Sequence, residues 1–388
     1  MGIRTASRFF SPPPPMYLEC LQLYQFRNYA NQTVSFNAPK TIVVGDNAQG
    51  KSNLLEAVEL LANLRSHRAL RDRELVRDSE AAGRIDARLM RDSGPVGLSM
   101  TLRKSGRRTV AVNGDNLRRQ LDFLPLMNAV QFSSLDLDLV RGGPSGRRRW
   151  LDTLLMQLEP VYAYILQQYH QILKQRNALL KQSMGKSSQD IAPQMALWDA
   201  QLAASGTRVI RRRSRVLHRL APIAQQWHRD ISHGSEALTI CYRPNVAADS
   251  DDPQMIQQAF LGKIQERAIA ELSQGKSLVG PHRDDVDFII NDTPARQYGS
   301  QGQQRTLVLS LKLAELMLIE TVVGEPPLLL LDDVLAELDL TRQDHLLSAI
   351  QERFQTIITT THLGAFDAQW LESSQILTVE TGAIKGEQ

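Results

Sequence analysis

The sequence predicts an α/β fold split by an inserted, mainly helical second domain, and three observations carry that prediction. Short strand-like and helix-like segments alternate up to about Asn116, helical periodicity takes over between Ser145 and Gln274, and strands return after Lys276. At 388 residues and 43.6 kDa the chain exceeds one ordinary core of about 100–200 residues, so two domains are expected. A hydrophobic fraction of 42%, a charged fraction of 22% and a mean hydropathy of -0.27 describe a soluble globular chain. The longest apolar run, Pro326 to Leu331, stops at Asp332 and Asp333, far short of the ~18 residues that span a bilayer. Cys20 and Cys241 have no partners at metal-ligand spacing, which excludes a zinc module or disulfide framework and fits a reducing, cytoplasmic address.

Residues 1–15 end in Pro12 to Pro15 and read as a disordered extension, or as the product of a start site placed upstream of Met16. Met16 opens a strand, Tyr17 to Leu23, and further strands are expected at Thr33 to Phe36, Thr41 to Val44, Arg84 to Met90, Val96 to Arg103 and Thr109 to Val112. Trp150, Leu151, Leu154, Leu155 and Leu158 fall at helical spacing, and a second helical run, Met195 to Ile231, follows the polar break at Lys181 to Ser188. These predict an antiparallel helix pair, too ragged for a sustained coiled coil. Strands at Val286 to Ile290, Leu328 to Leu331 and Thr356 to Thr361 close the chain. The expected boundaries are therefore residues 16–144 and 275–380 for the two halves of the α/β domain, 145–274 for the insertion, and 381–388 for a tail.

Gly45-Asp46-Asn47-Ala48-Gln49-Gly50-Lys51-Ser52 matches G-x-x-x-x-G-K-[ST], between a strand and a helix as a phosphate-binding loop requires. Glycine-exposed N–H groups and the helix N-terminus surround phosphate, Lys51 reaches the β and γ phosphates, and the Ser52 hydroxyl ligates Mg2+. ATP is the expected cofactor. The apolar strand Leu328 to Leu331 ends in two acids: Asp332 is the candidate to hold the metal, through water, and Asp333 the candidate general base for an attacking water. Without the loop, the same acids would read as a solvated turn capping a helix. Ser300-Gln301-Gly302-Gln303 precedes the long apolar helix Leu307 to Ile319. It reads either as a polar N-cap or as a second anion cradle serving a nucleotide held by another subunit.

Basic residues come in clusters: Arg147 to Arg149, Arg211 to Arg213, and Arg65, Arg68, Arg71, Arg73 and Arg77. Each could grip phosphate, or simply be a solvated helix face. The net charge is only +3, with a pI near 8.8.

In this order, the loop, the Ser300 segment, the acidic strand and Ala336-Glu337-Leu338-Asp339 resemble an ABC-type ATPase head of the SMC class. Gln25-Phe26-Arg27-Asn28-Tyr29, Lys51 to Ala57, Arg65-Ser66-His67-Arg68, Arg147 to Asp152 and Gly280-Pro281-His282-Arg283-Asp284-Asp285 narrow the resemblance to the bacterial RecF family, from about residue 17 to 378. That resemblance implies an ATP-dependent homodimer that binds single- and double-stranded DNA at gaps or junctions and works with RecO and RecR to load recombinase. Its ATPase would be slow, DNA-stimulated and used as a switch. It makes Arg27 and Asn28 nucleotide contacts, Ser300 to Gln303 the signature acting in trans, and Ala336 to Asp339 the D-loop. His362, after Thr359 to Thr361, stands where such heads place a switch histidine, although a histidine at a strand end can equally be structural. Where the family has Phe-Ser-Pro-Glu-Asp this chain has Phe132-Ser133-Ser134-Leu135-Asp136, which removes the usual water-positioning residue and leaves Gln131 as a weak substitute. Two other readings compete: an SMC-like chromosome organiser, which needs far longer coiled-coil segments, and a P-loop kinase for a small metabolite, which needs no signature.

Overall fold

The computed structural model describes residues 16–69, 71–185, 188–248, 250–350 and 353–385. The extension expected at 1–15 lies outside them. The chain divides into two compact units: one comprises the residues before Leu137 together with those after Ser310, and the other is Leu137–Ser310.

In chain order the first unit begins with β1 (Tyr17–Phe26), β2 (Tyr29–Ser35), β3 (Lys40–Val44) and α1 (Lys51–Asn63). β4 (Ala82–Arg91), β5 (Gly94–Arg103), β6 (Thr109–Val112), β7 (Asp115–Asn116) and β8 (Ala129–Ser133) follow. The second unit holds α2 (Asp138–Arg141), α3 (Pro144–Leu158), α4 (Pro160–Gln182), α5 (Ser188–Ile231), β9 (Leu238–Arg243), α6 (Pro253–Gln274), β10 (Asp285–Ile290), β11 (Thr293–Pro294) and α7 (Ala295–Tyr298). α8 (Gln301–Val323) crosses the division, and β12 (Leu328–Asp332), α9 (Leu340–Ile350), β13 (Thr356–Thr360), α10 (Ala368–Glu372), β14 (Ser374–Glu380) and β15 (Ala383–Lys385) complete the first unit.

Two sheets build the first unit. One is antiparallel, ordered β2-β1-β4-β5-β6-β7; the other runs β15-β14-β3-β13-β12-β8 and is parallel apart from β15. The parallel strands read as continuous apolar runs because both faces are covered; Leu328 to Leu331 are all buried. The antiparallel strands alternate instead, with Ile85, Ala87 and Leu89 buried and Arg84 and Arg88 outward. A single core joins Leu21 and Ile85 of one sheet, Leu330 and Ile357 of the other, and Leu54 and Val58 of α1. Being covered on nearly every side, α1 buries Glu56 and Glu59 too, so each acid needs a partner inside the protein.

In the second unit α4 packs along α5, as the helical periodicity predicts, with α3 and α4 separated at Glu159-Pro160. The unit extends past the expected end at residue 274 because β9 pairs with β10, Tyr242 opposite Val286, which ties 275–310 to the helices. Residues 381–385, expected as a tail, instead form a hairpin with β14: Thr381 at φ 47° and Gly382 at φ 74° make the turn.

Buried ion pairs fasten this unit. Arg213 makes a fork with Asp152 at 2.9 and 3.0 Å and also donates to Asp284 at 3.1 Å and the Pro281 carbonyl at 2.7 Å. Arg147 pairs with Asp285 at 2.6 Å. Two members of the basic clusters are therefore internal, which removes them from any phosphate-binding surface, whereas Arg65, Arg68, Arg71 and Arg73 are exposed. The Gly280 to Asp285 motif belongs to this internal fastening. Gly280 sits at φ 129°, where a Cβ would lie 2.6 Å from the Tyr169 hydroxyl.

Candidate nucleotide site

The site forms at the carboxyl ends of β3, β13, β12 and β8, the edge where open parallel sheets bind ligands. β3 delivers the Gly45 to Ser52 loop. Gly45 is obligatory, since a Cβ would lie 2.4 Å from the Val379 carbonyl oxygen. Gly50 is equally constrained, at φ 122° and with a Cβ there falling 2.7 Å from Asn28 Nδ2. Ala48 takes the left-handed conformation at φ 64°. α1 then starts at Lys51 with no side-chain cap on its N-terminus, which leaves that end to an anion.

Lys51 is almost wholly buried and donates to the Gly45 and Asp46 carbonyls at 2.8 and 3.0 Å, so its ammonium arches over the loop. The Ser52 hydroxyl donates to Asp332 Oδ1 at 2.8 Å, and Thr359 donates to the same oxygen at 2.8 Å. Asp333 follows in the left-handed region at φ 53°, its N–H bonded to Thr359 Oγ1 at 3.0 Å. Burial pushes the Asp333 carboxyl above its ordinary range and Asp332 adds to this, while Lys51 opposes it.

Asn28 clips the loop to α1. Its Nδ2 donates to the Gln49 carbonyl at 2.8 Å while its Oδ1 accepts from Asn53 at 2.8 Å. Arg27, at φ 53°, directs its guanidinium to Glu56 in a fork of 2.8 and 2.7 Å and to the Glu74 carbonyl at 2.8 Å. It therefore serves the buried acid of α1. The Ser66 hydroxyl donates to Glu56 Oε1, the same oxygen that Arg27 contacts, and Arg68 reaches Asn53 at 3.2 Å, so the Arg65-Ser66-His67-Arg68 loop runs back along α1.

Ser300 lies in the second unit and makes a reciprocal capping box: Gln303 N–H donates to Ser300 Oγ at 3.2 Å and Ser300 N–H to Gln303 Oε1 at 2.9 Å. The polar N-cap expected from the sequence is thus present, on the 23-residue α8. Ala336 is exposed and Leu338 buried in a short turn, Leu335–Glu337; the Glu337 side chain lies outside the described residues. Asp339 caps α9, accepting from Arg342 N–H at 3.0 Å, and that bond holds its carboxyl below the usual range. His362 is exposed just after β13, whose Thr360 carbonyl accepts from Gly45 N–H at 3.3 Å.

The sequence reading missed Glu56, Thr359 and the pair His67–Glu59. Glu56 and Glu59 are acids on a helix with little polar face, a visible signal that each needs an internal cation. Thr359 has no such signal, because its contact depends on the register of β12 with β13.

The fold and the site define an ATPase head of the ABC/SMC class. A family model described as the RecF/RecN/SMC N terminal domain matches residues 17–384. The chain is 67% identical to the DNA replication and repair protein RecF of Nostoc punctiforme, covering 95% of this chain and 99% of that one. It is 64% identical to its namesake in Acaryochloris marina, over 95% and 99%. A solved structure of the recombination mediator protein RecF-ATP in the RecFOR pathway superimposes with a TM-score of 0.89 at 31% identity, over 97% of this chain and 99% of that one. An Smc head domain from Pyrococcus furiosus shares the fold, with a TM-score of 0.53 at 15% identity over 95% of each chain. The chain belongs to the RecF family.

Proposed function

We propose that this is an ATP-binding DNA replication and repair protein in which ATP joins two heads on DNA and hydrolysis separates them. The observation that carries this reading is the Ser52–Asp332 contact of 2.8 Å, which brings the loop at one end of the sequence to the acidic strand at the other. A hydroxyl beside a carboxylate suits a hard divalent cation, so Ser52 and Asp332 would hold Mg2+ with ATP. Held there, Mg2+ would supply the positive charge that offsets the negative charge of the transferred phosphoryl group. Asp333, with its raised proton affinity, would accept the proton of the attacking water.

Ser300 to Gln303, at the start of α8, would meet a γ-phosphate held by a second copy, Ala336 to Asp339 would serve as the D-loop, and His362 as the switch. Exposed Arg65, Arg68, Arg71 and Arg73 suit the phosphates of single- and double-stranded DNA at gaps or junctions. RecO and RecR would act with it, in the cytoplasm. Equilibrium binding of ATP to Lys51→Ala tests the site: affinity falls about 100-fold, the value of a lost charge-assisted contact. Unchanged affinity would contradict the assignment.

A further inference from the structure

One side-chain cluster in the first unit is left unexplained by this scheme. His67 Nδ1 lies 2.7 Å from Glu59 Oε2, and the same oxygen accepts from the His67 backbone N–H at 3.2 Å. On the other side of the ring, Nε2 faces the Gln131 amide nitrogen at 3.5 Å. The Gln131 amide oxygen is buried and accepts no hydrogen bond among the described residues. Gln131 stands on β8 opposite Leu330, two positions before Ser133, which is opposite Asp332. Its contact with a loop held by α1 places it on the α1 face of the sheet, the face on which Ser52 meets Asp332.

Hydrogen-bond chemistry allows this amide two arrangements. With Nδ1–H donated to Glu59, a neutral ring has a bare Nε2, which accepts from the Gln131 NH2 and leaves the amide oxygen free. An imidazolium is a donor at both nitrogens, so Nε2–H repels the NH2 and captures the oxygen, and the amide turns over. We propose that His67 is a positioning residue for ATP hydrolysis, setting which end of the Gln131 amide is free to orient the attacking water. The productive state is the neutral ring with the amide oxygen free, since that oxygen accepts a hydrogen bond from the water and so aims the water's lone pair, while Asp333 takes the proton.

This inference rests on the ATPase reading above. The charged groups facing the ring are Glu59 and Glu56 from α1 and Asp136 from the segment after β8. Burial pulls the ring's proton affinity down, but the Glu59 bond and charge, with Asp136 and Glu56 behind them, carry it above the ordinary value. Burial raises Glu59 as well, with His67 opposing, so the pair retains its shared proton to higher pH than a free imidazole.

The test is steady-state ATP hydrolysis by the full-length chain with DNA, from about pH 5.5 to about pH 8.5, across the ordinary imidazole range near ~6.5. We expect kcat to rise through one titration while KM stays flat. His67→Gln keeps a neutral partner for Gln131 but cannot ionise, so its kcat becomes pH-independent across that range. Glu59→Gln moves the midpoint to lower pH, because the favourable charge is gone. Gln131→Ala lowers kcat by about 10-fold or more, the usual scale for supporting contacts, and abolishes the titration. ATP affinity, measured at equilibrium, stays at the parental value in all three and reports that they are folded. A parental pH profile in His67→Gln, with wild-type turnover intact, overturns this inference alone. A wild-type chain that binds no ATP overturns the proposed function, and this inference with it.

Discussion

Arg213 and Lys51 are both buried cations, yet their surroundings differ in kind. Arg213 spends its guanidinium on Asp152, Asp284 and a carbonyl, in bonds of 2.7 to 3.1 Å. Lys51 donates to two carbonyls of its own loop, and its near neighbour Asp333 has a carboxyl raised by burial. The first arrangement is closed, with acids matched to cations and geometry fixed, and it holds helices to a sheet. The second keeps a cation, an uncapped helix end and an acid on a site that phosphate would complete. Internal charge balance marks structure, and charge balanced only by a ligand marks function.

Breaking the closed region should cost the most. Arg213→Ala leaves Asp152 and Asp284 without their cation in a dry interior, a loss of about 3–5 kcal/mol. Denaturant unfolding read at the second unit should show it, and a shift within ~1 kcal/mol would mean that the network is decorative.

A smaller effect follows from His282, in the same region. Its Nε2–H donates to the Ser277 carbonyl at 3.1 Å, so Nδ1 accepts from the Tyr169 hydroxyl at 2.6 Å. Burial holds the ring neutral, with a proton affinity pulled down to about 4. Because the folded value lies below the unfolded one of about 6.5, the unfolded chain binds the extra proton between them. Stability is therefore complete above about pH 6.5 and falls as the pH drops toward about 4, by ~3 kcal/mol in all. Thermal unfolding of His282→Gln should lack this component; equal acid sensitivity in the two chains would assign it to other groups.

The two regions also differ in how far they could be read in advance. The phosphate loop was legible because eight consecutive residues encode a turn, a helix start and a cation, all local. The acids at the end of β12 were legible because an apolar strand ending in two carboxylates is itself unusual. The Ser300–Gln303 cap was legible because its bonds span three residues. Arg27 illustrates what was not: its neighbour in sequence is the loop-clipping Asn28, but its guanidinium goes to Glu56 on α1, 29 residues away in sequence. Residues 275–310 were assigned to the wrong side of the division for the same reason, since the β9–β10 pairing that carries them is non-local. The hairpin after Glu380 escaped because Thr381 gives no sign of taking φ 47°.

The central claim is that an ATP-filled site is completed by a second copy, and light scattering during size exclusion tests it most directly. Asp333→Asn should bind ATP with magnesium but hydrolyse it slowly, so its mass should double from 43.6 kDa and stay doubled. Ser300→Arg should bind ATP equally well and remain at the single-chain mass, because the bulky cation obstructs the start of α8. A single-chain mass for Asp333→Asn at saturating ATP, or loss of ATP binding by isolated Ser300→Arg, would contradict the account.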